Sequence, residues 1–265
     1  MERFLHVNHI TICIDDSGDI DKEPLFLYHG LVESKEKMYS IREMFKDQYR
    51  VITVDARGHG GSTRPNQYTL TDHVQDFHQL VHQLGFKKVN LLGYSMGSYI
   101  ALAAAEEDCH DIDHLVLVCT KPAGKTSSIA HLMATAGYDL ATATKEQIKQ
   151  VITKATYAPA SFDHLTEIKA RRHLARAKEP LTAPQKAAEN ASITGFDNST
   201  ALDKVTCKTL VIAAEYDGIN KPAWGKKVAQ GVPGAQYIEI KNAGHAVPFE
   251  QPSKFHRVVE QFLKH

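Results

Sequence analysis

The stretch from Lys88 to Glu107 constrains the fold of this chain more than any other part of it. An apolar run, Lys88-Val89-Asn90-Leu91-Leu92, passes into Gly93-Tyr94-Ser95-Met96-Gly97 and at once into an alanine-rich segment. The first part reads as a buried strand and the last as a helix, so the glycines must make a sharp strand-to-helix turn. Such βα units feed a mostly parallel sheet, and the rest of the chain repeats the rhythm.

Arg3 to Ile14 predicts an opening hairpin that turns near Asn8, and Pro24 to Tyr28 a buried strand ending at His29-Gly30. A helix over Lys35 to Asp47 leads to the strand Arg50 to Val54. Thr69 or Thr71 caps the next helix, whose Val74, Phe77, Leu80, Val81 and Leu84 share one face and which ends at Gly85. Leu115 to Val118 is the next strand. Between about Lys121 and Leu202 the strand signal vanishes, and amphipathic segments broken by Pro159, Pro180, Pro184 and Gly195 predict an inserted helical lid. The rhythm then resumes with a strand at Thr209 to Ala213, a helix from Pro222, a strand at Gln236 to Ile240 and a helix from Pro252 to Leu263.

Composition narrows the function classes. Lys plus Arg and Asp plus Glu are equal at 31 each, so no summed field favours nucleic acid or an anionic membrane. The start of the chain lacks the apolar core of a secretory signal and no apolar run is long enough to span a bilayer, which predicts a cytoplasmic protein. Cys13, Cys109, Cys119 and Cys207 are too scattered for a zinc or redox motif and read as free thiols. His78 and His82 have the spacing of metal ligands on a helix, but no second motif completes a site, and no metal or organic cofactor is expected.

A serine hydroxyl is a poor nucleophile until a base takes its proton, and the turn at Gly93-x-Ser95-x-Gly97 presents one clear of the sheet edge. Met96 then opens a helix whose free backbone N–H can meet an oxyanion. Downstream, Asp217 follows the next-to-last strand and His245 the last, which gives the order serine, acid, histidine. Glu215 competes for the acid role, and Asp217 is preferred. The second oxyanion donor is expected from the loop after His29-Gly30, with Leu31 N–H as the candidate.

On these residues the chain resembles the α/β-hydrolase superfamily. The likeness rests on His29-Gly30, on Asp55-Ala56-Arg57-Gly58-His59-Gly60-Gly61-Ser62, on the elbow at Ser95, on Asp217, and on Gly244-His245 with Glu250-Gln251-Pro252. Small bacterial carboxylesterases and lactonases are the members it looks most like. The resemblance implies an eight-stranded, mostly parallel sheet flanked by helices, with a helical cap inserted after strand six and the active site between cap and sheet edge. Residues 1–120 and 203–265 would form the core and 121–202 the cap. It also implies that Asp55 to Ser62 is a structural turn, so Arg57 and His59 are not assigned catalytic roles. Members that hydrolyse epoxides or haloalkanes carry aspartate at the elbow, and Ser95 argues against both. Ser98 stands where small esterases often have a second glycine.

The expected function is hydrolysis of small or medium carboxylic esters, lactones among them, through an acyl-enzyme on Ser95. Carbon–carbon cleavage or lyase chemistry by the same residues, and ligand sensing on a hydrolase fold, are the alternatives. The expected partner is a small-molecule ester, bound by a monomer or dimer. Gly30 and Tyr94 beside the elbow, and Met133, Tyr138, Tyr157 and Phe162 in the lid, are candidates for lining the substrate pocket; at helical spacing such lid residues are more often the lid's own packing.

Overall fold

Asn8 and His9 both adopt positive φ, 44° and 62°, so the chain reverses there and pairs β1 (Glu2–Val7) antiparallel with β2 (Ile10–Asp16). This and all that follows is taken from a computed structural model, which describes residues 1–124, 128–172 and 180–265. The remaining strands are β3 (Pro24–Tyr28), β4 (Arg50–Val54), β5 (Val89–Tyr94), β6 (Ile112–Val118), β7 (Lys208–Ala214) and β8 (Gln236–Ile240). They form one eight-stranded sheet in the order β1-β2-β4-β3-β5-β6-β7-β8. From β4 to β8 every pairing is parallel, while β2 meets β4 antiparallel.

Parallel strands need crossovers, and helices supply them on both faces. In chain order the first helices are α1 (Tyr39–Phe45), α2 (Leu70–Gln83) and α3 (Met96–Glu107). Next come α4 (Ser128–Thr135), α5 (Lys145–Thr156), α6 (Leu165–Arg172) and α7 (Ala183–Ser192), all between β6 and β7. The series ends with α8 (Pro222–Gly231), α9 (Val247–Glu250) and α10 (Pro252–Leu263). One face of the sheet packs on Val74, Phe77 and Leu80 of α2, on α3 and on Val228 of α8. The other packs on Ile41 and Phe45 of α1 and on Phe255, Val259 and Phe262 of α10. No helix among the described residues is long and apolar enough to cross a membrane.

Most sequence-based boundaries agree with the structure to within a residue or two, and two differ more. The helix expected from Lys35 opens instead as a 3₁₀ turn, Lys35–Met38. Asp55 accepts both the Lys35 backbone N–H at 2.6 Å and its ammonium at 3.0 Å, which ties the segment down before α1 can start. Strand β6 begins at Ile112 and so includes Asp113 and His114, whose polarity hid them; the His114 ring is buried 2.9 Å from Asn90 Oδ1. Thr69, not Thr71, caps α2, in a reciprocal capping box with Asp72.

Candidate active site

Because β5 ends at Tyr94 and α3 begins at Met96, Ser95 alone makes the turn, at φ 53° and ψ −116°. L residues avoid this region, so the surroundings must hold it. Ser95 N–H donates to the Val118 carbonyl at 2.9 Å and Gly97 N–H to the His29 carbonyl at 3.0 Å. The Ser98 hydroxyl donates to the carbonyl of Ser95 itself at 2.5 Å, so this residue braces the elbow where a glycine could not. Both flanking glycines are forced by contact. A Cβ on Gly93 would lie 2.2 Å from the Gly97 carbonyl oxygen, and one on Gly97 would lie 2.4 Å from that of Tyr28.

Loops after β7 and β8 bring the other two expected residues to the serine. His245 Nε2 lies 2.9 Å from Ser95 Oγ, and its Nδ1 lies 2.8 Å from Asp217 Oδ2. The other Asp217 oxygen accepts the backbone N–H groups of Ile219 at 2.9 Å and Asn220 at 2.8 Å, which fixes the carboxylate plane. Glu215 turns away, toward Lys241 and the Asn242 N–H. The Tyr94 hydroxyl donates to the His245 carbonyl at 3.0 Å and its ring lies beside the imidazole. Glu250 holds the histidine loop from behind: one oxygen takes the Gly244 N–H at 2.8 Å, the other the Ala158 N–H and the Ser161 hydroxyl.

His29 sets the facing loop. Its Nδ1–H donates to the Gly30 carbonyl at 2.8 Å while Nε2 accepts the Ala56 N–H at 3.2 Å. Burial pushes the ring down to about 4, so it is neutral and this tautomer is locked. A trans peptide points its C=O and N–H in opposite directions, so pinning the Gly30 oxygen aims the Leu31 N–H the other way. Neither this N–H nor that of Met96 meets a protein acceptor among the described residues. Val32, the residue after Leu31, sits at φ 60°, a costly position for a β-branched side chain.

Ser95 opens onto a cavity of about 500 Å³. Its floor is Gly30, Leu31, Tyr94, Met96, Tyr99 and His245, and its far wall comes from the segment between β6 and β7, including Ile129, Leu132, Ile152, Lys186 and Asn190. Met133 and Tyr138, expected in this wall, are not there. Helix α4 turns Ile129 and Leu132, one turn apart, toward the cavity, which leaves Met133 fully buried on another face. Tyr138 follows Gly137, which ends the helical turn at φ 80°, and stands exposed. Tyr157 packs instead with Ile168, Ala246 and Phe249, and Phe162 is exposed.

Sequence reading assigned no role to Tyr99, Lys121 or Asn220, and marked Glu250 only as part of the motif that follows His245. Tyr99 had a signal: four residues after Ser95 on α3, it must lie over the elbow. Lys121 had one too, since it follows the carboxyl end of a buried parallel strand, where open α/β sheets bind ligands. Cys119, Asp217 and His245 bring three possible metal-ligand atoms within 4.8 Å. Their chemistry does not suit an ion: Asp217 is committed to His245, and burial pushes the Cys119 thiol well above its ordinary range, so it stays protonated. His78 and His82 both face the Asp111 carboxylate, at 2.9 and 3.2 Å.

Known proteins share this arrangement of elements. The family model described as alpha/beta hydrolase fold matches residues 23–252. A putative 2-succinyl-6-hydroxy-2,4-cyclohexadiene-1-carboxylate synthase of Bacillus subtilis is 26% identical over 96% of this chain and 95% of its own length. Monoacylglycerol lipase ABHD6 of Rattus norvegicus is 22% identical over 98% of this chain and 81% of its own. Among solved structures, the enol-lactonase of Burkholderia xenovorans superposes with a TM-score of 0.83 at 22% identity, covering 99% of this chain and 100% of that one. A thermophilic esterase of Thermogutta terrifontis gives 0.81 at 24%, covering 100% and 98%.

Proposed function

The chain belongs to the alpha/beta hydrolase fold family, and from that premise we propose that it is a serine hydrolase of small or medium carboxylic esters, lactones included. The observation that carries this is the relay from Ser95 Oγ through His245 to Asp217, at 2.9 and 2.8 Å, at the floor of a cavity. Relatives and structural neighbours named as esterase, lipase and lactonase support the substrate class.

His245 Nε2 takes the Ser95 proton as Oγ attacks the ester carbonyl, and Asp217 steadies the imidazolium that forms. The oxyanion is met by the N–H groups of Leu31 and Met96. The imidazolium then gives its proton to the leaving alcohol oxygen, which leaves an acyl-enzyme. Water, deprotonated by the same nitrogen, attacks the acyl carbon and releases the acid and free Ser95. In this reading residues 121–202 act as a cap that closes the acyl pocket over residues 1–120 and 203–265.

Hydrolysis of a graded series of p-nitrophenyl esters by the wild type and Ser95→Ala tests the proposal, with fluorophosphonate labelling of both read by peptide mass. Turnover and a label on Ser95, both lost in the variant, are expected. A labelled Ser95 with no ester turned over would move the chemistry to carbon–carbon bonds or to sensing, and an unlabelled Ser95 would overturn the nucleophile.

A further inference from the structure

Lys121, three residues beyond β6, lines the same cavity as Ser95 and is only 8% exposed. Its ammonium makes no ion pair or hydrogen bond among the described residues. It lies instead over the faces of Tyr99, Phe196 and Trp224, with Nζ 5.4, 5.9 and 5.9 Å from the ring centroids. Asp217 is held by His245, Ile219 and Asn220, and Glu33 takes the Gly30 N–H. Burial, with no opposing partner, holds the lysine below its ordinary range.

Ring faces offset part of the cost of burying an ammonium and supply no hydrogen-bond acceptor. A methionine of similar shape would pack there without that cost. The cap wall adds Lys186 and Asn190, both polar groups able to donate, to the same cavity. We propose that Lys121 binds a carboxylate carried by the substrate, so that the preferred esters are anionic ones whose charge is held by this lysine while the ester carbonyl lies at Ser95. This inference rests on the serine-hydrolase reading for the ester and on Lys121 alone for the charge.

Tyr99 sets the span between the two ends. Its hydroxyl reaches Ser95 and accepts from Asn220, while its ring lies under the Lys121 ammonium. One tyrosine ring therefore separates the amine from the nucleophile, which suits a carboxylate a few carbons from the ester carbonyl. Half-esters of short dicarboxylic acids have this shape.

Mono-p-nitrophenyl glutarate and p-nitrophenyl pentanoate differ only in a terminal carboxylate against a methyl group, and their kcat/KM values form the first measurement. The wild type should prefer the anionic ester at least about tenfold, the size expected of one charge-assisted contact. Lys121→Met should abolish that preference, and Lys121→Arg should keep part of it. Glutarate binding to Ser95→Ala by calorimetry adds a readout that needs no turnover; adding Lys121→Met should weaken it about tenfold or more, with thermal melts checking that each variant is folded. Ester turnover with no preference for the half-ester, or glutarate binding indifferent to Lys121, overturns the anion site and leaves the hydrolase reading standing. Glutarate held through Lys121 with no ester turned over and no label on Ser95 upholds the anion site and overturns the hydrolase reading.

Discussion

Asp217 is the residue whose replacement separates geometry from chemistry. Its Oδ1 takes two backbone N–H groups, and its Oδ2 takes the His245 Nδ1–H. In Asp217→Asn the amide oxygen would keep the two N–H bonds, which leaves the NH₂ facing His245. His245 Nδ1 would then have to accept from it, the ring proton would move to Nε2, and Nε2 could no longer take one from Ser95. The expected loss in kcat is on the order of 10³ to 10⁴, with fold and thermal stability retained. A variant with nearly full kcat would show that Asp217 does not set the tautomer. The three expected residues were legible because each sits in the turn or loop that follows a strand readable in the sequence. Lys121 also follows a strand, yet its meaning depends on Tyr99, Phe196 and Trp224, which only the fold brings to it.

At the scale of elements, the helix–sheet contact at the elbow leaves no slack. A Cβ on Gly97 would press on the Tyr28 carbonyl oxygen at 2.4 Å, and backbone cannot give way there. Gly97→Ala should cost more than about 3 kcal/mol in urea unfolding or leave the chain insoluble, and wild-type stability would show that α3 can retreat from β3. The C-terminal end of α5 is stapled to the loops that carry Asp217 and His245. Ala155 C=O accepts the Gly218 N–H at 2.9 Å and Thr156 C=O the Ala246 N–H at 3.2 Å, while Glu250 ties the Gly244 N–H to Ala158 and Ser161. Glu250→Ala would free that loop, so kcat should fall about tenfold to a hundredfold while fluorophosphonate still reaches Ser95. Unchanged kcat would release Glu250 from any positioning role. The central strands β3, β4, β5 and β7 were readable to within two residues because burial on both faces leaves a near-continuous apolar run. The cavity-facing side of the helices between β6 and β7 was not. Whether α4 turns Leu132 or Met133 to the cavity is a rotation of one residue, set by what the helix packs on and invisible in its own periodicity.

For the whole molecule, buried titratable groups on opposite sides of neutrality predict a stability maximum near pH 6.5. Burial pulls His29 down to about 4 and His73 well below its ordinary 6.5. The unfolded chain therefore binds protons that the folded chain refuses, and stability falls as pH drops from about 6.5 toward 4. For His29 the fall amounts to about 3 kcal/mol, at roughly 1.4 kcal/mol per tenfold change in proton affinity. Glu106 works in the other direction. Burial first, and Asp197 after it, raise its carboxyl to about 8, and its Oε1 is buried without a partner among the described residues. The folded chain holds that proton more tightly than the unfolded one, so this contribution is lost as pH rises from about 4.5 through 8. Between these limits both histidines are neutral while Glu106 remains largely protonated. Urea unfolding from pH 4.5 to 8.5 should trace the dome. Glu106→Gln should flatten the alkaline limb and steepen the acid one, because its titration opposes that of the histidines between about pH 4.5 and 6.5, whereas His73→Phe should soften the acid limb and leave the alkaline slope unchanged. Acid and alkaline slopes that survive both substitutions would place the titration in other groups, and the dome would need a different origin.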